Sequence, residues 1–326
     1  MNLNFTKIIF IMMLLFSSLI TISSSNWLSM WMGLELNLFS FIPILNFNMS
    51  IYSIESSMKY FLIQTLASIL LLMFLINKSM FFLINNNFFL ILPLLMKLSL
   101  MPFNLWLPSM IEGLNWLSCL LMLTWQKISP LIMISYLNSN KNLIFLIFLI
   151  FINSIFGMNQ NSIRKILAMS SINNSSWMLF AILMNEKLWI NYFFIYSLLN
   201  FLLINIFYNY QINYINQLKF FNINYLFKLN LLMLMLSNMG LPPMLGFLMK
   251  WMLIKNLIMN KMYLIMLMLI ISTIMNLFMY MKIMYFLLFN FNIFNKWFMQ
   301  KKKTFNFSFI MFFNFFSLFF NYLFIY

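Results

Sequence analysis

Apolar runs about 20 residues long follow one another along most of this chain. Wound as an α-helix, a run of that length matches the hydrocarbon thickness of a bilayer. A helix also satisfies its backbone hydrogen bonds internally, as lipid requires. The runs are continuous rather than alternating, which argues against the strands of a membrane barrel. Charged residues make up 7% of the 326 positions, against about 25% in soluble domains. So few could not cover a surface in water. The chain reads as an all-α, polytopic membrane helix bundle.

Hydropathy predicts about eleven transmembrane helices, over residues 5–22, 27–46, 57–76, 83–101, 113–136, 142–157, 163–184, 188–208, 226–254, 261–286 and 305–325. The ninth is long because it is interrupted. Lys7 precedes an apolar run with no small-residue cleavage site, so the first span is expected to be uncleaved. Residues 209–225, rich in Asn and Tyr, read as a loop or an interfacial segment along the membrane surface. No stretch is long enough for a separate soluble domain. One transmembrane domain over 1–326 is expected, with its core at about 27–286 and a C-terminal helix at about 305–325.

The net charge is +15. In a soluble protein that surplus would suggest nucleic acid; in a membrane protein it sits in loops on one side and sets orientation. Eleven spans put more cations on the N-terminal side, Lys301–Lys303 among them, and so place the N-terminus on the cytoplasm-equivalent side. Three lysines remain inside spans: Lys97, Lys127 and Lys250.

Several chemistries are excluded by what is missing. There is no histidine, hence no His-held haem, His-based metal site or Ser-His-Asp triad. The single cysteine, Cys119, allows neither a disulfide nor a Cys-held iron–sulfur cluster within the chain. No GxGxxG or GxxxxGK[ST] motif occurs. The 34 methionines read as packing and lipid-facing residues, not copper ligands. No cofactor or metal is expected on this chain. Val and Asp are absent while Phe, Met, Asn, Ile and Leu are overused. Such apolar residues are nearly interchangeable towards lipid, and the bias is that of an AT-rich organelle genome.

The charges inside the spans carry the functional reading, because an ammonium ion at the bilayer centre costs roughly 2.5–3.5 kcal/mol even on mild scales. Glu35 lies within the second span, either on an ion path or reaching headgroups past Trp27 and Trp31. Lys97 is expected in mid-span between Pro93 and Pro102. Each proline removes a helix N–H, and freed backbone at membrane depth must be buried or line water. Lys127 lies internal to the next span, among Thr124, Gln126 and Ser129, unless it snorkels past Pro130. Lys250 follows Gly240, Pro242, Pro243 and Gly246, which read either as a broken helix of the kind that forms ion sites or as a loop. Glu55 and Lys59 form an i,i+4 pair behind Ser53, as a helix start or as a gate at the mouth of a polar path. Glu112 is a cap or loop acid between Lys97 and Lys127. One acid and three lysines around two broken helices suggest ion translocation rather than a lipid-embedded scaffold.

Several stretches resemble a known family: GLELN (33–37), ESSMKYFLIQTLAS (55–68), MKLSLMPFNLWLPSMIEG (96–113), LLMLTWQK (120–127), GMNQNSIRKILAMSSI (157–172) and NMGLPPMLGFLMKW (238–251). In this order they are similar to NADH dehydrogenase subunit 2 of animal mitochondria, insects and other arthropods in particular. That subunit is an antiporter-like part of respiratory complex I. The resemblance covers about two thirds of the chain; beyond 251 it is one of hydropathy only.

The resemblance implies inverted five-helix repeats, each with a broken helix, and a proton path. In that path Glu35 and Lys97 form a pair, Lys127 is the connecting lysine, and Lys250 lies nearest the exit. It implies a mitochondrial inner-membrane protein with its N-terminus in the matrix. The partners would be other membrane-arm subunits, neighbouring antiporter-like ones among them, and phospholipid, with no nucleic acid. NADH, FMN, iron–sulfur clusters and ubiquinone would be handled by other subunits, so this would be a non-redox subunit of a proton-translocating NADH:ubiquinone reductase. Departures from the family pattern lie at Asn104, which replaces a histidine, at Ser109, which replaces an acid, and at Asn173 and Asn174, where a small residue and a histidine are usual. The alternatives are a free-standing cation/proton antiporter subunit or a structural scaffold that no longer pumps.

Overall fold

A computed structural model describes residues 5–47, 49–80, 88–137, 154–220, 225–242 and 244–288. Every extended element among them is helical. Among the described residues, seven helical stretches are long and apolar enough to cross a membrane, and they correspond to seven of the eleven expected spans. Two more expected spans appear as shorter helical pieces, at residues 88–97 and at the broken pair within 225–259. Most of 142–157 and all of 305–325 lie outside the described residues. The chain divides into two compact units, Met1–Ile150 and Phe151–Tyr326.

In the first unit, α1 (Phe5–Ser23) and α2 (Trp27–Leu45) form a closely packed hairpin. The third helix, α3 (Ile51–Met80), starts earlier than hydropathy suggested, because the cap is Ser50 rather than Ser53. The Ser53 N–H donates to Ser50 Oγ at 3.1 Å, satisfying one of the donors that a helix start leaves open. Then come α4 (Phe88–Lys97), a turn containing the cis Met101–Pro102 peptide, and the short α5 (Trp106–Ile111). The next span is itself interrupted: α6 (Trp116–Leu123), a 3-10 turn (Trp125–Lys127) and α7 (Ile128–Ser135). Helices α2, α3 and α5 enclose a core around Phe41, Leu45, Met110 and Ile111, closed by α4 and α7.

In the second unit, a helical turn at 154–157 leads to α8 (Ile163–Met184), α9 (Glu186–Tyr210), the short α10 (Gln217–Phe220), α11 (Tyr225–Met239), α12 (Leu245–Met259) and α13 (Tyr263–Leu288). Helix α8 is the enclosed one, wrapped by α9, α12 and α13. It carries buried Ser170, Ser171, Ser175 and Ser176, and each hydroxyl donates to the carbonyl three residues back. That local bond lets a serine-rich helix sit in an apolar interior at little cost.

Residues 209–220 are docked rather than loose. Ile212, Ile215 and Leu218 are buried, and Ser162 and Tyr214 form an antiparallel bridge. The Ile163 N–H donates to Asn213 O at 3.0 Å, and Arg164 Nη2 donates to Asn213 Oδ1 at 2.8 Å. An expectation drawn from polarity alone overlooked these three aliphatics, which recur every third residue.

Exposed apolar residues such as Phe5, Met12, Phe16 and Leu19 line the outer face of α1. In water each would cost roughly 1.5–3 kcal/mol. Against lipid they cost little, so close packing and internal hydrogen bonds decide the fold.

Candidate functional site

Two of the three buried lysines sit at an interruption of a helix, and the third reaches one with its side chain. Lys97, 7% exposed, is the last residue of α4. It is not in mid-span as expected, because the chain leaves the helix at once. Ser99 adopts a left-handed φ of 57°, its N–H donates to Met96 O at 3.1 Å, and the Leu100 N–H donates to Leu95 O at 3.0 Å. These two bonds form a Schellman ending. The break follows Lys97 immediately, with Pro102 inside the turn beyond it.

Lys127, 3% exposed, closes the 3-10 turn between α6 and α7. Sequence reasoning placed it inside one span but did not foresee this interruption. The available signal was Pro130, which has no N–H to give to the carbonyl four residues back. That residue is Gln126.

Lys250, 8% exposed, lies in α12. Helix α11 ends as α4 does: Gly240 has φ 78°, its N–H donates to Ser237 O at 3.0 Å, and the Leu241 N–H donates to Leu236 O at 3.3 Å. Lys250 Nζ reaches back across this break and donates to Met239 O at 2.7 Å. The two helices stop at Met239 and resume at Leu245, a broken helix with Pro242 exposed in the turn and Pro243 outside the described residues. Gly246 is required by contact: a Cβ there would collide with the Ser237 carbonyl oxygen.

Around Lys97 the first unit builds a small polar cavity. Leu34, Asn37, Tyr60, Gln64, Gln126 and Pro130 line it, with about 10 Å³ open to the centre of a water molecule. That is room for roughly one water. Tyr60 Oη donates to Gln126 Oε1 at 3.3 Å, and Gln126 Nε2 donates to Asn37 Oδ1 at 3.0 Å. Glu35 lies one turn from the cavity on α2, half-buried, with Oε1 buried and without a hydrogen-bond partner. Among the described residues no salt bridge joins its carboxylate to Lys97. Neither Tyr60 nor Asn37 was singled out in the sequence. A Tyr in an apolar run gives no signal until its partner is known.

The remaining candidates are peripheral. Lys59 Nζ and Glu55 Oε1 are 2.6 Å apart, both exposed, in the opening turns of α3. Glu112 is exposed at the C-terminal end of α5. Among the described residues no cluster of acids and cysteines forms a metal site.

The second unit holds a further polar interior. Asn173 Nδ2 donates to Ser272 O at 3.4 Å and Asn173 Oδ1 accepts from Ser272 Oγ at 3.1 Å. Tyr280 Oη donates to Ser170 Oγ at 2.8 Å, and Tyr192 Oη donates to Asn174 Oδ1 at 3.0 Å. Asn200, Asn230 and Asn276 each bury amide atoms that have no protein partner. Buried amides of this kind call for internal water.

This arrangement matches known membrane proteins. The family model described as NADH:quinone oxidoreductase/Mrp antiporter, transmembrane, fits residues 24–87 and 73–276. The NADH-ubiquinone oxidoreductase chain 2 of Anopheles gambiae is 44% identical over 289 residues, covering 85% of this chain and 84% of that one. The chain of the same name from Aedes aegypti is 43% identical over 291 residues, at 85% and 84% coverage. Among solved structures, a chain of respiratory complex I from Thermus thermophilus with bound aureothin superposes with a TM-score of 0.79. It is 20% identical, and the match covers 87% of this chain and 71% of that one. The fold is thus shared far beyond the sequence likeness, and the chain belongs to the NADH:quinone oxidoreductase/Mrp antiporter transmembrane family, on the branch of the NADH-ubiquinone oxidoreductase chain 2 proteins.

Proposed function

We propose that this chain is a core membrane-arm subunit of respiratory complex I and takes part in proton translocation, coupled to electron transfer from NADH to ubiquinone elsewhere in the complex. The observation that carries the reading is the placement of Lys97, Lys127 and Lys250, all buried, the first two at a helix interruption and the third reaching one with its side chain. A helix end offers backbone carbonyls and the negative end of its dipole, which stabilise an ammonium ion without a fixed counter-acid. A lysine so held can gain and lose a proton as its surroundings change. Glu35, in the same unit, would be the acid whose charge biases Lys97.

The subunit would sit in the mitochondrial inner membrane with its N-terminus in the matrix. Its partners would be the neighbouring membrane-arm subunits, including antiporter-like ones, and phospholipid. FMN, iron–sulfur clusters and the redox steps would belong to other subunits. Replacing Lys97 by Ala in the assembled enzyme is expected to lower the number of protons moved per NADH oxidised. An assembled Lys97→Ala enzyme that pumps at the parent ratio would overturn the reading in favour of a scaffold.

A further inference from the structure

The hydrogen-bond chain beside Lys97 has a direction. Tyr60 Oη donates a hydrogen bond to Gln126 Oε1, and Gln126 Nε2 donates one to Asn37 Oδ1. The tyrosine oxygen therefore keeps only lone pairs for the cavity that it shares with Lys97. An ammonium ion is a donor only, so this direction suits charged Lys97. Both amides can turn about their last torsion, which exchanges donor and acceptor ends. After that turn Asn37 donates to Gln126, Gln126 donates to Tyr60, and the tyrosine proton is released towards the cavity. A neutral amine has a lone pair and can accept it.

We propose that the Tyr60–Gln126–Asn37 chain reverses direction when Lys97 loses its proton, and that Gln126 is the positioning residue through which this change reaches the turn holding Lys127. Gln126 suits the role by location. Its side chain lines the Lys97 cavity, while its backbone lies in the 3-10 turn that Lys127 closes. All three members are buried away from bulk solvent, where such bonds are stronger than in water. Tyr60 is also held by ring contacts to Phe41 and Trp106, with centroids at 5.2 and 6.4 Å. The hydroxyl can re-aim while the ring stays fixed. The charged and titratable groups around the chain are Glu35 on α2, Tyr60 itself on α3, Lys97 on α4 and Lys127 beside Gln126.

The inference rests on the proton-translocating reading above, and the test separates the two. In the assembled enzyme, Gln126→Met keeps volume and removes both bonds. Gln126→Glu, when ionised, can still accept from Tyr60 and from a turned Asn37 but cannot donate, which locks one direction. Both variants are expected to move fewer protons per NADH oxidised. Tyr60→Phe should lower the same ratio in the parent background and add nothing on top of Gln126→Met, since one chain is being broken twice. A simple structural clamp would be restored by Gln126→Glu, so a full pumping ratio in that variant overturns the inference. If the Gln126 variants fail to assemble, Tyr60→Phe decides alone, because it keeps the ring packing; an unchanged ratio there overturns the inference as well. Lys97→Ala runs beside them. If it also pumps normally, the function reading fails; if it loses pumping while Gln126→Glu and Tyr60→Phe do not, only the inference fails.

Discussion

Lys250 Nζ bonds to Met239 O at 2.7 Å, so a residue on α12 closes the end of α11 across the break between them. Gly240 makes room for this bond: a Cβ there would lie 2.9 Å from Nζ. Gly240→Ala is expected to cost about 1–2 kcal/mol from the left-handed backbone alone. It should also push Lys250 off its carbonyl, since the flexible end of the lysine must give way. A lower melting temperature of the assembled complex, together with reduced pumping, is the outcome to look for.

Lys250→Arg and Lys250→Met separate charge from proton transfer. Arginine keeps the charge and the donor but does not release a proton. It should assemble and pump poorly. Methionine keeps length but leaves the Met239 carbonyl without this partner, at a cost of about 1–3 kcal/mol. Thermal unfolding should rank methionine below arginine, while proton-to-electron ratios should find both low.

Gly246→Ala should be the more damaging glycine substitution. Its Cβ would strike the Ser237 carbonyl oxygen, a backbone atom that no rotamer change can move aside. Overpacking of this kind costs about 3 kcal/mol or more. The amount of assembled complex should fall further than for Gly240→Ala, and equal yields would contradict the contact.

Glu55→Gln should change stability by no more than about 0.5 kcal/mol, because the pair with Lys59 is exposed and solvent-screened. Its proton-to-electron ratio distinguishes the helix-start role from a gate: the ratio is expected to match the parent.

The Asn173–Ser272 contact in the second unit should be strongly coupled. Asn173→Leu removes both bonds to Ser272, whose hydroxyl keeps its bond to Leu269 O at 2.7 Å, for a loss of about 1 kcal/mol. Ser272→Ala in that background should cost less than alone, and thermal unfolding of the four combinations measures the difference.

The helices were legible because lipid leaves the chain few ways to satisfy its backbone, so run length alone places α1, α2, α8, α9 and α13. Costly charges were legible for the same reason. Lys97, Lys127 and Lys250 stand out against apolar neighbours, and all three are buried. Their local backbone was less so. Gly240 and the prolines announced the second break, but Ser99 takes a left-handed conformation that serine rarely adopts, and nothing near Trp125–Lys127 except Pro130 signals a 3-10 turn. Long-range polar pairs were invisible. Tyr60 and Gln126 are 66 residues apart, and Asn37 and Gln126 are 89 apart. Only the folded packing brings them together.

The shared endings of α4 and α11 bear on how such a chain tolerates its own genome. The counter-charge facing Lys250 is a peptide carbonyl, and Lys97 occupies the carbonyl-rich last turn of α4. Peptide groups are not encoded by any codon. Substitution pressure can strip out histidines and aspartates and swap one apolar side chain for another, yet it cannot delete the electrostatics of a helix end unless it also removes the residue that turns the chain. Ser99 and Gly240 are therefore positions where drift would be harmful, although neither carries a charge.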